Sequence, residues 1–340
     1  MSDAFDPGVP LVPRGAVPRE EHRALASGAV AVVRPAFARF RLLGEGRIAC
    51  LQGLVTCDVE GPGDGAHLFG ALLTPKGMIV APLWMVRLDD AVSLELPLAA
   101  AEAVRQIFAR TLPPRLCGAE EVTASTASLG LYGPKAGEVL AAASGAQPPA
   151  PSRAALLRVS GRDVLASRVE ARGLDGFDLV AGGGTDGGGE VLAALHAHGA
   201  AAAGPALIEE RRIVAGFPRF GAEIDERAIP QEVGFDELGA VSYTKGCYVG
   251  QETVARVHFR GHPNRRLVGL ALGGAPPPTP PYEFHDGERV LGRLTSAAWS
   301  PDAAQHLGLA VLRREVQAGA TLALPGGSPA MVHLLPWPAA

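Results

Sequence analysis

The sequence predicts an α+β protein whose body mixes strands with helices and whose C-terminal end is a small antiparallel β-barrel. Strand and helix signals mix through residues 18–260 without a regular β–α–β alternation, which is typical of an α+β fold. Beyond residue 263 only short strand-like runs separated by turn residues remain, and this spacing favours a small barrel. A chain of 340 residues, 47% hydrophobic and 19% charged, has material for about two or three globular domains.

Changes of composition divide the chain into three predicted parts. Residues 1–17 combine acidic residues with prolines and are predicted to be a disordered arm. Residues 18–262 are predicted to form the α+β body, and residues 263–340 the barrel. The stretch SGAQPPAPS at 144–152 is rich in proline, so it predicts a surface link at which the body could divide into two subdomains.

Charge and hydropathy argue against several classes of function. The net charge of −4 provides no global basic field, so direct nucleic-acid binding is not expected. No run of about 18 or more apolar residues occurs, so no membrane span is predicted. The N-terminus lacks the basic start and the apolar run of a secretory signal, and we expect a cytoplasmic protein.

The cysteines are few and scattered, and none forms a Cys-x-x-Cys pair. Their spacing fits no zinc or cluster framework, so no metal site is predicted. A small number of scattered thiols suits a reducing cytosol. The four cysteines are Cys50, Cys57, Cys117 and Cys247.

Hydrophobic periodicity predicts the elements of the first half of the body. A proline–glycine turn at residues 74–77 joins two of the strands into a hairpin. The predicted strands are 29–33, 37–43, 67–73, 78–87 and 91–96, and the predicted helices are 46–56 and 99–111.

In the second half of the body, residues 182–189 (GGGTDGGG) invite comparison with a phosphate-binding loop. They lack the lysine of such a loop, so a flexible linker is predicted. His196 and His198 are spaced i and i+2 on a helix and point in different directions, so they do not predict a shared ligand. The predicted strands are 122–131, 156–159, 163–168 and 176–180, the predicted helices are 135–143 and 206–215, and residues 220–234 are predicted to be an irregular loop. The barrel strands are predicted at 267–272, 289–296, 307–312, 321–324 and 331–335, with a stiff linker at 273–281.

The stretch KGCYVGQE at residues 245–252 concentrates reactive groups. It places a thiol, an ammonium, a phenol, an amide and a carboxylate around two glycines, which permit close backbone approaches. Lys245 could hold a thiolate at Cys247 by charge attraction, and the helix or strand predicted at 251–257 would begin near it. The alternative is a glycine-containing turn with a buried, inert cysteine, because free cysteine is often buried. The density of polar groups favours a partly exposed, functional thiol that ionises more readily than a free cysteine. The candidate residues are Lys245, Gly246, Cys247, Tyr248, Gly250, Gln251 and Glu252.

The longer stretch KGCYVGQETVAR at 245–256 resembles the signature of the YgfZ family. Members of that family are folate-binding proteins related to the aminomethyltransferase of the glycine cleavage system. They support maturation or repair of iron–sulfur enzymes, some of which modify tRNA. The resemblance covers nearly the whole chain and implies a folate-binding body with a C-terminal barrel. It also implies tetrahydrofolate or another reduced folate as cofactor, and iron–sulfur enzymes or their assembly factors as partners.

The resemblance further implies a folate cleft roofed by the signature, with a few polar contacts. Asp58 closes a phrase that resembles the first-domain helix and turn of the family, although a turn-forming role is equally expected. Arg212 lies in a segment that resembles the family sequence before the signature. Arg256 begins the basic run at 256–266, which is either an anion clamp or a solvated domain boundary. These three residues are the candidate folate contacts.

Two departures separate the chain from the aminomethyltransferase branch. Ala81 and Pro82 occupy the places of a paired Asp-Asp that includes the catalytic carboxylate, and Val214 occupies the place of a pterin-binding glutamate. The departures favour a folate-dependent accessory protein for iron–sulfur enzymes that uses Cys247. The alternatives are a tetrahydrofolate-dependent aminomethyltransferase or demethylase, and a folate-binding module without catalysis. The sequence thus leaves open whether the protein is an enzyme; if it is, a folate-dependent one-carbon transferase is expected.

Overall fold

The computed structural model describes residues 17–34, 36–169, 173–276 and 281–337. The helices in these ranges are α1 (Arg19–Ser27), α2 (Arg47–Gln52), α3 (Ala101–Thr111), α4 (Ala136–Ser144), α5 (Gly184–Ala197), α6 (Pro205–Val214) and α7 (Gln251–Arg260). The strands of the body are β1 (Val30–Val33), β2 (Phe37–Leu43), β3 (His67–Leu73), β4 (Ile79–Arg87), β5 (Ala91–Pro97), β6 (Gly118–Glu121), β7 (Thr126–Tyr132), β8 (Ala154–Val159), β9 (Arg162–Val169), β10 (Gly176–Gly182) and β11 (Ala201–Ala202). The remaining strands are β12 (Arg265–Leu272), β13 (Tyr282–Asp286), β14 (Arg289–Ser300), β15 (Gln305–Arg313), β16 (Thr321–Ala323) and β17 (Pro329–His333).

A five-stranded antiparallel sheet, in the order β3-β4-β5-β2-β6, forms one half of the body. The predicted hairpin is confirmed, since β3 pairs with β4 and places Phe69 opposite Trp84. Leu83 and Met85 of β4 are fully buried in a core that α2 and α3 complete. Because side chains alternate along a strand, Pro82 and Trp84 point to the opposite face of the sheet.

A six-stranded sheet, in the order β11-β1-β7-β10-β9-β8, forms the other half. β1 runs parallel to the short β11, and all other neighbouring strands of this sheet pair in antiparallel fashion. α4 and α5 bury Leu140 and Leu195 against Leu131 and Leu179 of this sheet. The predicted hairpin of β8 and β9 is confirmed. The proline-rich stretch at 144–152 connects α4 to β8, which contact each other within this half.

The prediction of a flexible linker at 182–189 is wrong, because most of that glycine run forms the first part of α5. The glycines allow this helix to approach the sheet more closely than side chains would permit. A Cβ on Gly187 would lie 2.0 Å from the carbonyl oxygen of Gly182, and one on Gly188 would lie 2.5 Å from the Cβ of Ala127. The run therefore serves close helix–sheet packing, which local propensity does not reveal.

The C-terminal sheet, in the order β13-β14-β15-β12-β17-β16, is antiparallel and nearly closed, which confirms the predicted barrel. The hydroxyl of Tyr282 on β13 donates to the carbonyl of Ala323 on β16, so the two edge strands approach each other. Leu270, Leu312 and Val332 fill the barrel core. β13 escaped prediction because its sequence, YEFHD, buries only one residue fully.

Two predicted segments lie outside the described residues. They are almost all of the N-terminal arm, at 1–16, and positions 277–280 of the stiff linker. Along the described ranges, none of the helices is both long enough and apolar enough to cross a membrane.

Candidate functional site

A cleft of about 990 Å³ lies between the two halves of the body. Three parts of the chain line it: β3 and β4 with the turn before them, the edge of the six-stranded sheet, and the loop between α6 and α7. The lining residues are Cys57, Asp58, Pro62, Ala66, His67, Leu68, Phe69, Trp84, Ser152, Arg153, Arg168, Val169, Phe217, Leu238, Gly239, Val241, Ser242, Tyr243 and Thr244.

Three aromatic residues, Phe69, Trp84 and Phe217, form what we call the aromatic wall of the cleft. The ring centroid of Phe69 lies 5.0 Å from that of Trp84 and 5.5 Å from that of Phe217. The rings of Trp84 and Phe217 are within 28° of parallel. Such a wall offers a flat apolar surface to a flat ring system. The register of the predicted hairpin could have paired Phe69 with Trp84, but Phe217 comes from a distant loop.

The strand that carries Trp84 brings no carboxylate to the cleft, since β4 contains neither Asp nor Glu. Pro82 lies on the same face as Trp84, two residues earlier, whereas Ala81 is fully buried in the core on the other face. The structure thus places Pro82, and not Ala81, on the side of β4 that carries the aromatic wall.

Asp58 lines the cleft and also forms a turn, and its role as a folate contact stays a prediction. The side-chain amide of Gln52 donates to Asp58 Oδ1 at 2.8 Å, and the backbone N–H groups of Glu60 and Gly61 donate to the same oxygen. The hydrogen bond from Gln52, with support from these N–H groups, lowers the pKa of Asp58. The wall of the cleft therefore carries a carboxylate that is ionised at neutral pH.

Two arginines that the sequence did not single out also line the cleft. Arg153 precedes β8 and donates to the backbone carbonyl of Asp64, and Arg168 on β9 pairs with Asp175. Arg168 belongs to the six-stranded sheet and Arg153 directly precedes its strand β8, while Asp58 belongs to the segment before β3. Sequence reasoning missed them because only the packing of one half of the body on the other brings them to the cleft.

Lys245 fastens the signature to the wall of the cleft. Its Nζ donates to the backbone carbonyls of Gln52, Val55 and Cys57 at 2.7, 2.7 and 2.8 Å. An ammonium has three N–H donors, and these carbonyls use all of them. A direct hydrogen bond from Lys245 to a thiolate at Cys247 would therefore break one of these contacts.

The other signature residues are placed around this anchor. Tyr248 is buried, and its ring centroid lies 5.1 Å from Lys245 Nζ. Gly250 has a φ of +83°, and a Cβ there would lie 2.6 Å from the carbonyl oxygen of Thr74, so only glycine fits. Gly246 faces open space. Gln251 and Glu252 begin α7, and Gln251 is half-buried whereas Glu252 is exposed.

Cys247 is exposed, four positions before the first residue of α7. It is not among the residues that line the cleft, although Ser242, Tyr243 and Thr244 just before the signature are. The cysteine in the cleft wall is Cys57, where burial raises the pKa to about 12 and outweighs the opposing charge of Lys245. That thiol stays protonated at neutral pH.

The two arginines expected to contact folate lie away from the cleft lining. Arg212 on α6 is buried, where it pairs with Glu209 at 2.7 Å and Glu223 at 3.0 Å and donates to the hydroxyl of Ser296 on β14. It connects the body to the barrel. Arg256 is exposed on α7.

Comparisons with known proteins agree with this architecture. The family profile "GCVT N-terminal domain" matches residues 13–243, and "Glycine cleavage T-protein C-terminal barrel domain" matches residues 265–336. The "tRNA-modifying protein YgfZ" of Cronobacter sakazakii is 36% identical over 131 residues, which are 37% of this chain and 40% of that relative's length. An aminomethyltransferase of Halalkalibacterium halodurans is 28% identical over 305 residues, which are 87% of this chain and 82% of that relative.

Among solved structures, the glycine cleavage system aminomethyltransferase T from Bartonella henselae superposes with a TM-score of 0.80 at 21% identity, and covers 93% of this chain and 88% of that one. This likeness shows the fold. The similarity to YgfZ and to aminomethyltransferases that the signature indicated is confirmed by these relatives. With the N-terminal profile alone covering more than half of its residues, the chain belongs to the glycine cleavage T-protein family and contains both the N-terminal domain and the C-terminal barrel of that family.

Proposed function

We propose that the chain binds a reduced folate in this cleft and acts as an accessory protein for iron–sulfur enzymes, tRNA-modifying ones among them, through the thiol of Cys247. The observation that carries the folate part is the make-up of the cleft. An aromatic wall stands in the same cavity as an ionised carboxylate and two arginines. Ligand sites typically combine an apolar surface with a few fixed polar groups in this way.

Each part of a folate has a counterpart in the cleft. The pterin is flat and suits the wall of Phe69, Trp84 and Phe217. Its N–H groups suit the carboxylate of Asp58, which accepts hydrogen bonds. The glutamyl carboxylates suit the planar guanidinium groups of Arg153 and Arg168. The cleft volume of about 990 Å³ lies at the upper end of the range typical of small-molecule sites.

The accessory role rests on the position of Cys247 and on the similarity to YgfZ proteins. Cys247 is exposed, so a partner protein can reach it, and it follows Thr244, the last lining residue of its loop, by three positions. The thiol therefore lies only a few residues along the chain from the lining of the cleft, and a protein outside the cleft can reach it. A folate-binding module without chemistry would leave Cys247 without a role.

Aminomethyl transfer is the second candidate, because the aminomethyltransferase relative matches 87% of this chain. Pro82 disfavours it, because proline can neither accept a proton nor steady an ammonium at that place. We therefore expect binding of folate without methylamine transfer.

Calorimetry with tetrahydrofolate tests the folate part. We expect binding by the wild-type protein, at least tenfold weaker binding by Trp84→Ala because the aromatic wall is lost, and unchanged binding by Trp299→Ala. Trp299 is an exposed residue of the barrel and serves as the matched control. A folded wild-type protein that releases no heat with near-millimolar ligand would exclude the folate site.

A rescue experiment tests the thiol. In cells that lack their own family member, Cys247→Ser should fail to restore iron–sulfur enzyme activity while the purified variant still binds tetrahydrofolate. Cys50→Ser is the control and should restore activity. Alkylation should also be faster at Cys247 than at the other three cysteines. Full rescue by Cys247→Ser, with no preference in alkylation, would make this thiol structural.

A further inference from the structure

Cys50 on α2 and Cys117 just before β6 lie close together in the structure, although they are far apart in the sequence. The side chain of Cys50 is near enough to help raise the pKa of the Cys117 thiol, and that thiol donates a weak hydrogen bond to the carbonyl of Gly118 at 3.9 Å. Both pack in the core of the five-stranded sheet, where Cys50 is partly accessible to solvent and Cys117 is only 2% exposed. The pair thus consists of one thiol that solvent reaches and a second thiol that lies behind it.

The backbone holds the two segments together. The N–H of Gly46 donates to the carbonyl of Leu116 at 2.9 Å. A Cβ on Gly44 would lie 2.4 Å from the carbonyl oxygen of Leu116, and Gly44 has a φ of +102°, which favours glycine. The main chain therefore holds the two segments that carry these cysteines close together.

We propose that Cys50 and Cys117 are a redox-active pair that closes to an intramolecular disulfide, with hydrogen peroxide as the oxidant. This inference is independent of the proposed function, because it uses neither the folate site nor Cys247. It also adds to what the spacing of the cysteines suggested, since two cysteines that are far apart in the sequence lie close together in the fold.

The reaction balances in two steps. The sulfur of Cys50 attacks one oxygen of hydrogen peroxide, so that an S–O bond forms, the O–O bond breaks, and the released hydroxide takes the thiol proton to give water. The sulfur of Cys117 then attacks the sulfur of the resulting sulfenic acid. An S–S bond forms, the S–O bond breaks, and hydroxide leaves with the proton of Cys117 as a second water. The two thiols lose two electrons, which reduce one peroxide molecule to two waters.

The environment sets the order of these steps. Burial, together with the neighbouring Cys50 thiol, raises the pKa of Cys117 to about 11. Cys117 is therefore protonated at neutral pH and shielded from peroxide, which makes Cys50 the first sulfur oxidised and Cys117 the resolving partner.

The bridge would restrain a segment that supports the cleft. Gln52, the last residue of α2, holds Asp58 through its amide and accepts a hydrogen bond from Lys245 at its backbone carbonyl. A covalent tie on α2 also reduces the freedom of the unfolded chain. We therefore expect the oxidised protein to unfold at a higher temperature than the reduced protein.

The full-length protein, treated with hydrogen peroxide, alkylated and digested, tests the pair by mass spectrometry. We expect a linked peptide that contains Cys50 and Cys117 and has lost the two thiol hydrogens, together with a rise in Tm. Dithiothreitol should reverse both. Cys50→Ser and Cys117→Ser should each abolish the linked peptide and the rise in Tm, whereas Cys247→Ser should keep them.

The linked peptide of the wild-type protein decides the matter even if a serine variant fails to fold. Peroxide that drives Cys50 to sulfinic acid without any linked peptide would overturn the proposal. So would a disulfide that joins Cys247 to either residue in place of this pair. A complete Cys50–Cys117 link with an unchanged Tm would overturn the restraint on α2.

Discussion

Charged residues cluster in two places: at the contact between the body and the barrel, which we call the joint, and in the cleft within the body. The two places differ in how far protein partners enclose these residues. At the joint, Arg212 is 7% exposed and Glu223 is 1% exposed, and the two pair at 3.0 Å. The hydroxyl of Ser296 accepts from Arg212 and donates to Glu223. Both charges of this pair are therefore enclosed by partners from the protein itself.

In the cleft, Asp58, Arg153 and Arg168 have partners in the protein and also line open space. Backbone groups, a glutamine or a carboxylate hold each of them. The difference teaches that a charged residue which the sequence suggests as a ligand contact stabilises the fold instead when protein partners enclose it. The same residue type can serve a ligand when it keeps one side on a cavity.

The largest expected effect comes from breaking the joint with Glu223→Ala. Arg212 would remain buried without the partner at 3.0 Å, and truncation of one member of a buried ion pair costs about 3–5 kcal/mol. Denaturant unfolding should show this loss. Asp302→Ala is the control, because Asp302 pairs with Arg211 at an exposed site and should cost about 1 kcal/mol or less. Equal losses in the two variants would contradict the distinction between joint and surface.

The next effect concerns the anchor of the signature. Lys245→Met leaves the carbonyls of Gln52, Val55 and Cys57 without their donor, which should lower the free energy of unfolding by about 1–3 kcal/mol. Lys76→Met, in the exposed turn between β3 and β4, should change it little. If Lys245→Met unfolds at the same denaturant concentration as the wild type, the three hydrogen bonds contribute nothing to stability.

A smaller effect on stability is expected for Asp58 in the cleft, and this effect depends on pH. The pKa of Asp58 in the folded protein is lowered, mainly by the hydrogen bond from Gln52. The ionised carboxylate therefore adds to the free energy of unfolding above the unfolded pKa of about 3.9. The contribution is lost as pH falls through the folded pKa. Asp58→Asn should therefore cost at most about 1 kcal/mol at pH 7, since the group faces solvent, and the difference from wild type should shrink below about pH 4.

Asp89→Asn, in the exposed turn between β4 and β5, is the control for this titration. Thermal unfolding of both variants between acid and neutral pH measures the effect. A stability difference for Asp58→Asn that grew on acidification would reverse the sign and refute the assignment.

The smallest expected effect is none. With Pro82 on the face of β4 that carries Trp84, the protein should not release ammonia from an aminomethyl donor in the presence of tetrahydrofolate. An ammonia assay at stoichiometric enzyme measures this, with an active aminomethyltransferase as the positive control. Release at or above one equivalent would show that another group in the cleft, such as Asp58, replaces the missing carboxylate.

The sequence by itself determined the elements whose signals are local. The hairpin of β3 and β4 follows from alternating residues and a proline–glycine turn, and the barrel follows from short strands between turn residues. The signature also identified the relatives of the chain. Of the two roles expected of Asp58, that of a turn former is also local, because its short carboxylate accepts hydrogen bonds from backbone N–H groups two and three residues away.

Tertiary structure alone decided which distant residues meet. The glycine run at 182–189 is helical because it packs where a Cβ would clash, and Phe217 and Arg168 reach the cleft from different parts of the body. Arg212 was expected at the ligand, but packing against the barrel encloses it with carboxylates. Periodicity reports which face of an element is buried, whereas the partner on that face depends on how distant segments approach, and no local pattern encodes that approach.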